Sequence, residues 1–186
     1  MNSFNKTHYL SKTGLLFLLT VLALGALNCS SSKVDDNSTP EMLAKTFLHI
    51  LKSNDQELFK KHLATTEHRF KFNDRPNALW KKVRTEEEHR QELKDGYNSI
   101  LQNTLAKIRN EFSQLGLNDW SNVDFHNYSY QMRNTNDYTM SGQLIFVTED
   151  MAGEMERVEF IKTSDGWKIY SVPKVDNYVS KAWLGQ

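Results

Sequence analysis

Apolar positions recur along this chain with two different periods, and the switch between them divides it. Thr39-Pro40-Glu41 is a helix start: a capping hydroxyl, proline at the first helical position and an acid in the first turn. Leu43, Phe47, Ile50 and Leu51 follow at helical spacing. Ser53-Asn54-Asp55 ends that helix and caps a second, whose stripe is Leu58, Phe59, His62 and Leu63. Residues 66–80 hold no clear period; Arg69 to Phe72 are expected to pair as a short strand, with a turn at Asp74-Arg75-Pro76. Thr85 and Glu88 stand in capping-box spacing ahead of a long helix. Its stripe is Leu93, Tyr97, Ile100, Leu101, Leu105, Ile108, Phe112 and Leu115, closed by a Gly116-Leu117 C-cap. Gly96 inside it is expected to mark a bend or a break.

After Gly116 the period falls to two. "NVDFHNYSYQMR" and "YTMSGQLIFVT" are strand-like and separated by the turn cluster "NTND". In "EMERVEFIKTSDGWKIYSV", Asp165-Gly166 predicts a two-residue type I′ hairpin with Ser164 opposite Trp167 and Lys162 opposite Ile169. Val158, Phe160, Trp167 and Ile169 then share one face, and Ile161, Tyr170 and Val172 the other. Helices followed by about four antiparallel strands define an α+β domain, expected over residues 39–186. The closing "RVEFIKTSDGWKIYSV" after a long helix resembles the nuclear transport factor two-like cone fold over roughly residues 39–173. That resemblance implies N-terminal helices packed on a strongly curved sheet, with a cavity between. Members of that family include enzymes, small-ligand binders and docking modules, so the fold alone assigns no function.

The first forty residues follow a different logic. Lys6, His8 and Lys12 precede an apolar run from Leu15 to Leu27, broken only by Thr20 and Gly25. Its 13 residues are too few to cross a hydrocarbon core of about 30 Å. The run ends in Ala26-Leu27-Asn28-Cys29 and resembles the lipobox signal of bacterial lipoproteins. The resemblance implies a signal peptide over residues 1–28, removed before Cys29, and a thioether-linked lipid with an acylated amino terminus on that cysteine. Ala26 and Asn28 depart from the common pattern, which has leucine three places before the cysteine and glycine or alanine directly before it. Residues 29–38, from the lipidated cysteine through "SSSKVDDNS", read as a polar tether. Ser30 after the cysteine fits delivery to the outer membrane, with the domain outside the cytoplasm.

Composition removes several function classes. Cys29 is the only cysteine, so a disulfide framework, a cysteine-based metal site and thiol redox chemistry drop out together. The chain carries 23 basic and 23 acidic residues, and removing the signal takes away Lys6 and Lys12. No cationic field remains to hold nucleic acid. His62, His68 and His89 have no helical metal-ligand spacing, His89 is expected in an exposed first turn, and neither a metal nor a cofactor is expected.

Two sets of residues are candidates for function. Asp124 and His126 alternate with Tyr128 and Tyr130 along one strand, the arrangement of a general base and its orienting partner on one face. Their competing reading is a solvated sheet face. Tyr128, Phe146, Phe160 and Trp167 are candidates for the wall of a cavity between the long helix and the sheet. The leading expectation is a non-enzymatic, membrane-anchored binding or interaction module, its partner a small apolar ligand or an envelope protein. The alternatives are a small isomerase- or hydrolase-like enzyme using Asp124 and His126, and a structural surface protein.

Overall fold

The computed structural model describes residues 35–171 and 173–185. The expected signal, Cys29, the first part of the tether and Val172 lie outside the described residues. Helix α1, Pro40–Ser53, begins where Thr39 Oγ1 accepts from the Met42 N–H at 3.1 Å and ends at Asn54, whose φ of 53° reverses the chain. Asp55 caps α2, Gln56–His62, by accepting from the Leu58 N–H. Two short helices around a polar corner are as the pattern predicts.

The stretch expected as a strand is instead helix α3, Thr66–Asn73. Thr65 Oγ1 accepts from the His68 N–H while His68 Nδ1 accepts from the Thr65 N–H, both at 3.3 Å. A histidine thus fills the place that glutamate or glutamine holds in a capping box, which hides the motif from its usual residue pattern. A short 3₁₀ turn, Leu79–Lys82, leads into α4, Glu86–Gln114, where Thr85 and Glu88 form the expected capping box. The Leu117 N–H bonds the Phe112 carbonyl and the Gly116 N–H bonds that of Ser113, with Gly116 at φ 106°, a Schellman closure.

Helix α4 runs through Gly96 without the expected bend or break. A Cβ there meets nothing within 4 Å, and the residue is exposed. Gly96→Ala is therefore expected to stabilise the domain by about 0.5–1 kcal/mol, because alanine leaves the unfolded chain less freedom to lose. Urea denaturation of the two proteins checks it.

Six strands follow: β1 Asp124–Met132, β2 Thr139–Val147, β3 Met151–Glu156, β4 Phe160–Thr163, β5 Gly166–Ile169 and β6 Lys174–Ser180. They pair antiparallel as a β1-β2-β3-β6 sheet and a β4-β5 hairpin. The two units are pieces of one meander. β2 pairs with β3, and its approach continues onto β4 through the Tyr138–Ile161 bridge and the Lys162 N–H to the Asp137 carbonyl. β5 pairs with β4, and β6 continues along β3. The breaks fall at Arg157, with φ 60°, and around Ser171-Pro173. The result is the expected α+β fold, with N-terminal helices on a curved sheet of four strand paths. β6 itself, after Pro173, was not expected, since "KVDNYVS" mixes charge into a half-buried strand.

The closing hairpin is corrected in register. Lys162 faces Trp167, and Phe160 faces Ile169. Of the turn residues only Gly166 has a positive φ, at 100°, so the loop is not type I′. The slip is by two residues, so the facing groups are unchanged: Val158, Phe160, Trp167 and Ile169 are all buried. The outer edge of β5 is closed by two segments. The Trp167 N–H donates to Asn37 O and the Ala64 N–H to Ile169 O, each at 2.9 Å.

Asn37 belongs to the expected tether, yet the chain is fastened to the domain from Asp35. Asp35 pairs with Lys61 and, at 2.7 Å, with His62 Nε2. The Asp36 N–H donates to Thr46 Oγ1, and Asn37 Nδ2 donates to the Asp165 carbonyl. The folded part therefore includes at least the four residues ahead of the boundary at Thr39.

His89, expected in an exposed turn, is 7% exposed. Its ring stacks on Trp80 with centroids 4.5 Å apart, and neither ring nitrogen makes a hydrogen bond among the described residues, the nearest carboxylate being Glu92 Oε2 at 3.5 Å from Nδ1. Burial pushes the pKa of His89 below its ordinary value, and burial does the same to His62 and His68. Between the folded and unfolded pKa values the unfolded chain binds more protons. Stability therefore rises with pH through that window and is lost as pH falls below about 6.5. We expect the melting midpoint to drop between about pH 7 and pH 5. His89→Phe, which keeps the ring on Trp80 and removes two unmet nitrogens, is expected to add about 1 kcal/mol and to flatten that slope. Thermal melts across this pH range measure both.

Candidate functional site

The four aromatic residues expected to wall a cavity are packed into the core. Phe146 and Phe160 are fully buried, and Tyr128 and Trp167 are 6% and 5% exposed. Phe146 meets Phe112 edge to face at 5.0 Å and lies 5.7 Å from Trp120. Tyr128 lies 5.2 Å from Phe160, and its hydroxyl joins a buried relay. The Phe160 N–H donates to Thr139 Oγ1 at 2.8 Å, that hydroxyl stands 3.1 Å from Tyr128 Oη, and Tyr128 donates to Val158 O at 2.7 Å. Tyr128 therefore pins the kinked strand path to β1 and β2. Burial pushes its pKa above the ordinary tyrosine value.

Asp124 and His126 lie on exposed surface. The alternation that would align them with Tyr128 and Tyr130 is broken by register shifts between Phe125 and Asn127 and between Ser129 and Gln131. Phe125 and Tyr128 consequently both turn toward the core, and Asp124 and His126 stay outside. The Asp124 side chain is 84% exposed, with Lys52 Nζ 3.9 Å away. The pair shares no enclosed space with the core aromatics.

What the fold builds instead is a polar hollow of about 520 Å³ where α3 and α4 meet the bend of the sheet. α3 contributes Arg69, and α4 contributes Ile100, Lys107 and Glu111. The kink between β3 and β4 contributes Arg157 and Glu159, and the kink between β5 and β6 contributes Tyr170, Ser171, Pro173 and Lys174. The two kinks are tied together: the Tyr170 N–H donates to Glu159 O at 2.9 Å, the Glu159 N–H to Ser171 Oγ at 2.9 Å, and Ser171 Oγ to Arg157 O. A left-handed residue and a proline on adjacent strand paths thus hold cationic side chains at one place.

Arg69 is the anchor of this hollow. It is 8% exposed, with Nε donating to Ala64 O at 2.9 Å, Nη2 to Tyr170 O at 2.6 Å, and its guanidinium 5.0 Å from the Tyr170 ring centroid. Both acceptors are neutral carbonyls; no carboxylate pairs with Arg69 among the described residues, and Nη1 makes no hydrogen bond there. Burial pushes its pKa down from the ordinary arginine value. A charge removed from water without a counter-ion is costly, so the site favours an anion. Around it, Arg157 and Lys174 make no side-chain bond among the described residues, and Lys107 reaches Glu111 only at 3.8 Å. Glu159 is engaged by the Tyr138 hydroxyl. The hollow therefore holds four cations against two carboxylates.

Comparison with protein-family models finds no match for this chain, and neither curated proteins nor solved structures give a significant one. No helix among the described residues is long and apolar enough to cross a membrane.

Proposed function

We propose that this chain is a lipoprotein of the bacterial cell envelope, anchored through Cys29, whose domain is a non-enzymatic binding module for a small anion. The anchor rests on the lipobox-like run "ALNC" after a short leucine-rich segment. The ligand class rests on one observation, the buried Arg69 guanidinium that no carboxylate pairs with among the described residues. Guanidinium groups take carboxylates and phosphates through paired N–H donors, and Arg157 and Lys174 add long-range attraction. The packing of Tyr128, Phe146, Phe160 and Trp167 against one another shifts the reading from an apolar ligand inside the cone to a polar one at its bend.

The test is calorimetric titration of the detergent-solubilised full chain with inorganic phosphate and with succinate. Saturable binding of either is expected, weakened about tenfold by Arg157→Ala and again by Lys174→Ala, and screened by salt. Arg69 also ties α3 to the hairpin, so the two peripheral variants are the cleaner probes. Absence of saturable binding, or binding that both variants leave unchanged, would remove the anion reading. The anchor is tested separately by metabolic labelling: palmitate is expected in the wild-type chain and not in Cys29→Ala.

A further inference from the structure

The chain length between the expected anchor and the first described residue restricts how the domain meets the membrane. Only residues 30–34 separate Cys29 from Asp35, and a chain of that length reaches at most about 20 Å. A domain of this size is about 40 Å across. Asp35 is held by Lys61 and His62, and Asn37 lies against the β4–β5 turn so closely that a Cβ on Gly166 would come within 2.5 Å of Asn37 Nδ2. The leash is thus too short to let the domain present every face to a bilayer.

We infer that the domain is seated on the bilayer that carries its anchor, with the β4–β5 turn, the end of α2 and the start of α3 facing the lipid headgroups. This inference rests on lipidation at Cys29. The charge of that face suits phosphate-bearing headgroups. Lys60, Lys71 and Lys162 are exposed, and neither Lys60 nor Lys162 has an ion-pair partner among the described residues. The acids beside them are already matched: Asp35 by Lys61, Glu67 by Arg90, and Asp165 by Lys168 at 2.9 Å. Nothing apolar needs to enter the membrane; the seat is electrostatic and the lipid supplies the attachment.

The far end of the same strand path provides the control. Met151 to Thr163 is one kinked path, at most about 40 Å long, with the β2–β3 turn at one end and the β4–β5 turn at the other. Ser164 and Asp150 are exposed turn residues at these two ends. Because the lipid consumes the only native thiol, Ser164→Cys and Asp150→Cys each create a single labelling position. The full-length, lipid-modified chains would be reconstituted in vesicles of phosphatidylcholine and phosphatidylglycerol containing headgroup-nitroxide lipid, each carrying a fluorophore. Strong quenching at position 164 and little at 150 is the expected result. Equal quenching, or the reverse order, would overturn the seating while leaving the anchor intact. Flotation separates the two claims: if the wild type fails to float with vesicles, or Cys29→Ala floats as well as it does, the anchor falls and the seating falls with it.

Discussion

Gly142→Ala is expected to cost the domain about 3 kcal/mol or more, making it among the most damaging single-methyl additions in the molecule. A Cβ at position 142 would stand 1.8 Å from the Val158 carbonyl oxygen and 2.8 Å from both its carbon and Tyr128 Oη. None of these is the free end of a flexible side chain. Val158 is where the kinked strand path passes over β2, held by its own N–H to Gly142 O at 2.9 Å and by the Tyr128 hydroxyl on its oxygen at 2.7 Å. Making room for one methyl group would open both bonds and leave buried polar atoms unmet. Urea denaturation, with Gly96→Ala as the glycine-to-alanine control of opposite sign, measures the difference. A loss under about 1 kcal/mol would show that the two backbones are not held this close.

Phe146→Ala carries the second large effect, an expected loss of about 3–5 kcal/mol. Phe146 on β2 stands opposite Gly153 on β3, and its ring occupies the space a Cβ at 153 would need, 2.1 Å from Phe146 Cζ. Phe112 and Trp120 close the ring in from the helix side. If this residue walled an open ligand cavity, its truncation would cost little and enlarge the site. Embedded in a packed core, it leaves a void lined by aromatic groups. Calorimetric melting of the variant distinguishes the two, and a loss below about 1 kcal/mol would restore the cavity reading.

The elements are easier to read from the chain than the site, because local signals set them. Helix α4 was legible because its signals agree: Thr85 and Glu88 at the start, a 3.6-residue stripe from Leu93 to Phe112, and Gly116-Leu117 at the end. α3 was not, because its cap uses His68 in place of an acid and its eight residues carry too short a period. The alternation of Asp124, His126, Tyr128 and Tyr130 suggested one shared face, and two bulges in β1 undid it. A bulge depends on what pairs with the strand, which the strand's own residues do not state.

Arg69 illustrates the same limit at the candidate site. Nothing in "TEHRFKFN" separates this arginine from the exposed Lys71 two places on. Its burial follows from where α3 lies against Tyr170, 101 positions later in the chain. Arg157 and Lys174 likewise join it only because two strand paths kink at the same level. Their excess of positive charge is invisible in a chain whose basic and acidic residues balance at 23 each.

By itself the amino-acid order determined the class of fold and the ends of most helices. These are local properties, set by capping groups and periodicity. The three-dimensional packing alone decided that the aromatic rings pack against one another rather than line a cavity, that the Arg69 guanidinium sits at the bend of the sheet, and that Asp35 is tied to the domain. Those outcomes depend on contacts between segments distant in the chain, whose energies no single stretch contains.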